Sequence, residues 1–72
     1  MNELQLLSTV ALMEDLPEKG LRRGQVGTIV EMLSAGVYEV EFSDDAGRTY
    51  ANLAIAAEHL LPLLHEPGYR AA

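Results

Sequence analysis

The clearest pattern of apolar and polar positions lies between Val37 and Phe42, where apolar side chains alternate with two glutamates. Successive side chains of a β-strand point to opposite faces, so this alternation predicts a strand with one buried and one solvated face. The side chains expected to point into the core are Tyr38, Val40 and Phe42. Those expected to face water are Glu39 and Glu41.

A second run of β-forming residues, Gln25 to Leu33, precedes this strand and carries apolar side chains at both parities. Three consecutive β-branched residues, 28–30, favour a pleated strand. We expect Gly24 to end the turn that leads into the strand, and Gly27 to mark a bend or a close backbone approach. A strand bent at Gly27 would allow apolar residues of both parities, Leu33 among them, to be shielded from water.

Shorter patterns predict the remaining elements of the chain. We expect strands at 8–13, 48–55 and 61–64, a loop at 14–20, a hairpin turn at 43–47 that contains Gly47, and one helical turn at 56–60. In the fourth strand, Ala51, Leu53 and Ile55 are expected to face the core, with Tyr50 and Asn52 on the opposite face.

Five short strands, tight turns and one helical turn before the last strand predict an all-β fold, and an SH3-like barrel is the architecture that fits them best. Leu21 is the apolar exception in a polar loop, and we expect it to close the bottom of the barrel. A chain of 72 residues is expected to form a single SH3-like domain, 1–72. Its core would span about 7–64, and 65–72 would be a flexible tail.

Several motifs follow one another in the order found in a small bacterial family: Leu16-Pro17, Gly20-Leu21, the runs 23–30 and 38–42, Gly47-Arg48-Thr49 and Leu60. The chain therefore resembles the domain-of-unknown-function family 4926 over nearly its whole length. This resemblance implies no particular activity. The run from Gly24 to Val30 is also similar, over that short stretch, to the KOW type of barrel found in transcription and ribosomal proteins.

Charge and composition limit which partners the protein is expected to bind and where in the cell it is expected to occur. Eleven acidic residues against five Lys and Arg give a formal net charge of −6, which repels nucleic-acid phosphates and anionic lipid. The chain has no cysteine, no signal-peptide pattern and no apolar run of the roughly 20 residues that span a bilayer. We therefore expect a soluble cytoplasmic protein that binds neither nucleic acid nor membrane.

No residue set has the pattern of a catalytic, cofactor or metal site. The histidines His59 and His65 would need a third ligand, such as Glu58 or Glu66, and a rigid frame to bind a metal. The glycine-containing turn is followed by a strand and carries no Lys-Ser/Thr pair, so it is not a phosphate loop. We expect no enzyme activity, no cofactor and no metal.

The residues expected to contact a partner are few. Arg22 and Arg23, with Lys19, form the one basic cluster, and Arg48 could approach it from the far hairpin. The alternative is that these cations pair with acidic residues nearby, at Glu14, Asp15 or Glu18, with little energetic effect. Tyr50 is the best candidate for an exposed contact, because tyrosine offers a large apolar area at low entropy cost.

Two functional hypotheses follow from these features. The first is a small non-enzymatic protein that acts as a protein–protein interaction or accessory module, with an antitoxin-like role as one form of it. Its partner is not identified by the sequence, and a homo-oligomer is compatible with it. The second is a KOW-like nucleic-acid or ribosome-associated protein. The net charge favours the first, since nucleic-acid modules usually present a basic face.

Overall fold

The β-strands of the chain form one antiparallel sheet, seen in a computed structural model that describes residues 4–64. The strands are β1 (Thr9–Leu12), β2 (Val26–Ser34), β3 (Val37–Ser43), β4 (Thr49–Ala56) and β5 (Leu60–Pro62). Two short 3₁₀ helices, Pro17–Lys19 and Ala57–His59, lie between strands. The predicted tail, 65–72, lies outside the described residues.

The strands are arranged in the order β4-β3-β2-β1-β5. The predicted all-β fold of five short strands is confirmed, and so is the helical turn directly before the last strand. This order is compatible with an SH3-like barrel. Within residues 4–64 the strand pairings leave β4 and β5 as the two edges of an open sheet, so closure into a barrel stays a prediction.

One local element was missed in the predicted loop at 14–20, where Pro17–Lys19 forms a 3₁₀ helix. Proline fixes φ near the helical value and can occupy the first helical position without losing a bond. Leu16 and Leu21 flank this helix and exchange backbone hydrogen bonds of 2.9 and 3.1 Å. This bridge carries Leu21 into the core, where it is almost fully buried, as the sequence predicts.

The alternation in β3 is confirmed by the burial of its side chains. Tyr38, Val40 and Phe42 are each at most 2% exposed, whereas Glu39 and Glu41 remain partly accessible to water. These three residues form the centre of one apolar cluster, to which each of the other four strands and the loop before β2 also contribute side chains. The other buried members are Val10, Leu12, Leu21, Ile29, Ile55 and Leu60.

The irregularities in β2 are two β-bulges rather than a bend at Gly27. Ile29 pairs with Val40 and Glu31 with Glu39, which leaves Val30 without a partner; a second shift leaves Leu33 unpaired. Bulges re-aim the side chains that follow them. The expectation that Leu33 is shielded was wrong: it is 45% exposed near the tip of the β2–β3 hairpin, past the core residues of β3.

Gly27 itself pairs regularly with Val10 on one side and Phe42 on the other. A Cβ atom at this position would stand 2.7 Å from Cγ1 of Val40, 3.0 Å from the carbonyl oxygen of Glu41 and 3.0 Å from Cδ1 of Phe42. Carbon atoms in contact prefer about 3.5–4.0 Å. Gly27 is therefore required by the close approach of β3, one of the two features that the sequence predicts for it.

We expect Gly27→Ala to lower the free energy of unfolding by roughly 1–3 kcal/mol, because the added methyl group overpacks the core. The cause can be isolated with a double-mutant cycle that adds Val40→Ala, which removes the closest atom. The double variant should lose less stability than the sum of the two single effects. In urea unfolding, this difference should be at least about 0.5 kcal/mol. Additive effects, or an unchanged stability of Gly27→Ala, would contradict the close-approach explanation.

Candidate protein-interaction surface

The turn that leads into β2, Arg22 to Gln25, is held by hydrogen bonds at both of its ends. The N–H of Gln25 donates to the carbonyl oxygen of Arg22 at 3.1 Å, and the Gln25 side-chain oxygen accepts from the N–H of Arg22 at 2.5 Å. Gly24 adopts φ +95°, and its N–H donates to Leu12 of β1 at 2.8 Å. A positive φ favours glycine, so the turn predicted to end at Gly24 has the residue it needs.

Both arginine residues of this turn are exposed. Within residues 4–64, neither Arg22 nor Arg23 forms a side-chain ion pair. The nearby acids serve other groups: Asp15 accepts the backbone N–H of Arg23 at 2.8 Å, and Glu14 lies 3.1 Å from Nδ1 of His59. Asp15 thus fixes the backbone at Arg23 and leaves both guanidinium groups at the surface.

The orientation of the Tyr50 side chain depends on a third irregularity of the sheet, a β-bulge in β4. Phe42 pairs with Ala51 and Ser43 with Thr49, so Tyr50 is an extra residue of β4 without a partner in β3. We expected its ring on the face opposite the core, but the ring centroid lies 6.4 Å from that of Phe42 at an interplanar angle of 38°. The bulge breaks the strict alternation of side chains and places the Tyr50 ring over the buried Phe42. Tyr50 itself remains 49% exposed.

Gln25 connects this tyrosine to the basic turn. Its side-chain nitrogen donates to the hydroxyl oxygen of Tyr50 at 3.0 Å, and its side-chain oxygen accepts from the backbone of Arg22. Hydrogen bonds through Gln25 therefore link Tyr50 to the backbone of Arg22, and Arg23 follows in the same turn. We call these four residues the Tyr50 surface. Gln25 is a part of it that sequence reasoning missed, since no spacing signal relates a turn glutamine to a tyrosine on another strand.

Arg48 belongs to the β3–β4 hairpin. Its Nε atom lies 3.5 Å from a carboxylate oxygen of Asp44, and the other oxygen of Asp44 accepts the N–H groups of Ala46 and Arg48, both at 2.9 Å. Gly47, at φ +83°, completes the turn. In the part of the chain that the structure describes, Arg48 makes no hydrogen bond or ion pair with the Arg22–Gln25 turn, and we define the Tyr50 surface without it.

The other candidate groups have ordinary structural surroundings. His59 lies between the carboxylates of Glu14 and Glu58, at 3.1 and 3.6 Å, and all three side chains are at least a third exposed. The described residues contain no cluster of three or more His, Cys, Asp or Glu side chains that could hold a metal ion. His65 lies outside them. Glu39 and Glu41 point to the solvated face of β3, as their parity predicts.

Comparison with models of known protein families shows the family to which the chain belongs. The model of a domain of unknown function, DUF4926, matches residues 6–62. The chain belongs to the DUF4926 family. Neither curated proteins nor solved structures gave a match to it. Among the described residues of this DUF4926 domain, no helix has the length and apolar character needed to cross a membrane.

Two substitutions separate the packing role of Tyr50 from its hydrogen bond. Tyr50→Ala uncovers Phe42 and should lower the stability of the DUF4926 domain by about 1–2 kcal/mol. Tyr50→Phe keeps the ring and loses only an exposed hydrogen bond, so its effect should stay within about 0.5 kcal/mol. Chemical denaturation followed by circular dichroism measures both. Equal effects of the two changes would show that the ring does not cover the core.

Proposed function

We propose that this DUF4926 domain is a non-enzymatic module that binds another protein through the Tyr50 surface. The observation that supports it best is a half-exposed tyrosine held on one side by Phe42 and on the other by Gln25. Tyrosine and arginine are enriched at the residues that dominate binding energy in protein interfaces. A side chain already held in one position also loses less entropy on binding, which favours affinity.

The two neighbouring arginines indicate the chemistry of the contact. A guanidinium group can bind a carboxylate through two parallel hydrogen bonds, with more geometric specificity than an ammonium group. We expect the partner to place a carboxylate against Arg22 or Arg23 and an apolar surface against the ring of Tyr50. The net charge of −6 opposes long-range attraction of such a partner, so recognition depends on these short-range contacts.

An accessory role, with an antitoxin-like partner relationship as one form, is the biological setting that we propose for this module. The cytoplasm is the compartment that we propose, because a chain without cysteine has no need of an oxidising environment. Both proposals rest on the amino-acid sequence.

The interaction can be tested by capturing proteins from the native cell on the immobilised domain and identifying what co-elutes. Arg22→Ala/Arg23→Ala and Tyr50→Ala should each reduce capture of the same protein roughly tenfold or more, whereas Tyr50→Phe should retain most of it. Arg48→Ala is the comparison variant, since it removes a neighbouring cation that pairs with Asp44 and not, within the described residues, with the Arg22–Gln25 turn. Capture that depends on Arg48 but not on Arg22, Arg23 or Tyr50 would refute the assignment of this surface.

The nucleic-acid alternative needs its own measurement, because exposed arginines and an exposed aromatic ring also suit single strands. We expect labelled RNA and DNA to bind weakly even at low salt, since two or three surface cations neutralise few phosphates. Fluorescence anisotropy at low and high salt decides this point. Micromolar binding that falls steeply with salt and disappears in Arg22→Ala/Arg23→Ala would replace the protein-binding proposal with the KOW-like function.

A further inference from the structure

The outer edge of β4 carries backbone groups that pair with no other described strand. Within residues 4–64, Thr49–Ala56 pairs with β3 alone. Directly after it, the N–H of Ala57 donates to the carbonyl oxygen of Gly36 at 2.8 Å, in register with the β3–β4 ladder. Hydrogen-bonded and non-hydrogen-bonded pairs alternate in an antiparallel ladder. The N–H and C=O groups of Asn52 and Ala54 therefore point away from β3, along the open edge.

This edge lacks the features that usually prevent strand addition. Natural edge strands are short or carry proline, lysine or inward-facing charges. The opposite edge of the sheet, Leu60–Pro62, has only three residues and contains a proline. In contrast, Thr49–Ala56 has eight residues without a charge or a proline, and several of them favour β-structure. Among residues 4–64, one edge of the sheet is therefore protected against strand addition and the other is not.

The solvated face beside this edge is acidic, and the β4 residues opposite its glutamates have short side chains. Glu39 lies opposite Ala54 and Glu41 lies opposite Asn52, so a residue with a short side chain separates each glutamate from the edge. The Glu41 carboxylate also accepts a hydrogen bond of 3.0 Å from the hydroxyl of Thr49 on β4. Glu31 lies directly opposite Glu39 on β2, a like-charge pairing that destabilises a sheet. In the described part of the chain, none of these three carboxylates forms an ion pair with a cation.

We propose that the open edge of β4 receives an extended basic segment of a partner protein, which adds to the sheet as a sixth strand. Backbone hydrogen bonds to Asn52 and Ala54 would supply affinity, as in other cases of β-strand addition. Lys or Arg at alternate positions of the added strand would extend over these small residues toward Glu39 and Glu41, two strand spacings or about 10 Å away. The charge of the face thus selects a basic occupant.

A second copy of the chain is a poorer fit to the same edge. Antiparallel pairing of two β4 strands about a two-fold axis would bring Glu39 and Glu41 of both copies to one continuous face. Each copy also carries a formal charge of −6. Tyr50 is itself a residue of β4, but its contacts are to the core residue Phe42 and to Gln25. The inference depends instead on the backbone of Asn52 and Ala54 and on the glutamates of the solvated face, so it neither requires the proposed function nor fails with it.

The test uses the full chain and a labelled nine-residue peptide with Lys at alternate positions, separated by Val and Thr. A peptide with Glu in place of every Lys is the matched control. Fluorescence anisotropy should show binding of the Lys peptide that weakens with salt, and no binding of the Glu peptide. Hydrogen exchange measured by NMR should show slower exchange at the amides of Asn52 and Ala54 when the Lys peptide is present, because they become hydrogen-bonded.

Variants of the domain separate the backbone and charge contributions. Ala54→Pro removes an outward N–H without removing a bond to β3 and should weaken binding roughly tenfold. Glu39→Gln and Glu41→Gln should each weaken it about two- to fivefold at low salt and reduce the salt dependence. Glu18→Gln, the same charge change on the 3₁₀ helix Pro17–Lys19, should leave binding unchanged.

Three results would overturn the inference: no binding of the Lys peptide, binding that does not slow exchange at Asn52 and Ala54, or equal binding of the Glu peptide. A dimer in analytical ultracentrifugation that protects the same two amides without peptide would assign the edge to a second copy instead. Should Ala54→Pro fail to fold, as judged by circular dichroism, the exchange measurement on the unmodified chain decides the question.

Discussion

The close approach of β2 and β3 at Gly27 is the contact on which the rest of the sheet depends. The Cγ1 atom of Val40 and the ring of Phe42 occupy the space that a side chain at Gly27 would need. The same glycine pairs with Val10, so it also sets the position at which β1 joins the sheet. Because β5 pairs only with β1 among the described strands, four of the five strands are positioned directly or indirectly by this contact.

The surface features of the domain come from departures from regular pairing. The two bulges of β2 turn the end of the β2–β3 hairpin away from the core and expose Met32 and Leu33. The bulge of β4 has the opposite effect, because it turns Tyr50 toward Phe42 and within hydrogen-bond distance of Gln25. In a sheet with so few strands, a single extra residue decides whether a large side chain covers the core or faces water.

The sequence predicted the all-β fold and β3 well, since period-two alternation depends only on residues close together in the chain. It did not predict how Tyr50 would point or that Leu33 would be exposed. A bulge depends on the packing of two strands against each other, and no local pattern in either strand specifies it. The link between Gln25 and Tyr50 could not be predicted either, because it joins residues brought together only by the folded sheet.

The order of strands in the sheet has a consequence for how the domain folds. β2, β3 and β4 follow one another through short turns, so their pairing closes only short loops. β1 and β5 come from opposite ends of the described chain, and Val10 must find Pro62 across almost its whole length. Closing a long loop costs more conformational entropy, so the three-stranded meander should form first and the β1–β5 seam last. The same seam, three residue pairs long, is where the native domain should open first, exposing Leu12 and Leu60 while the meander stays paired.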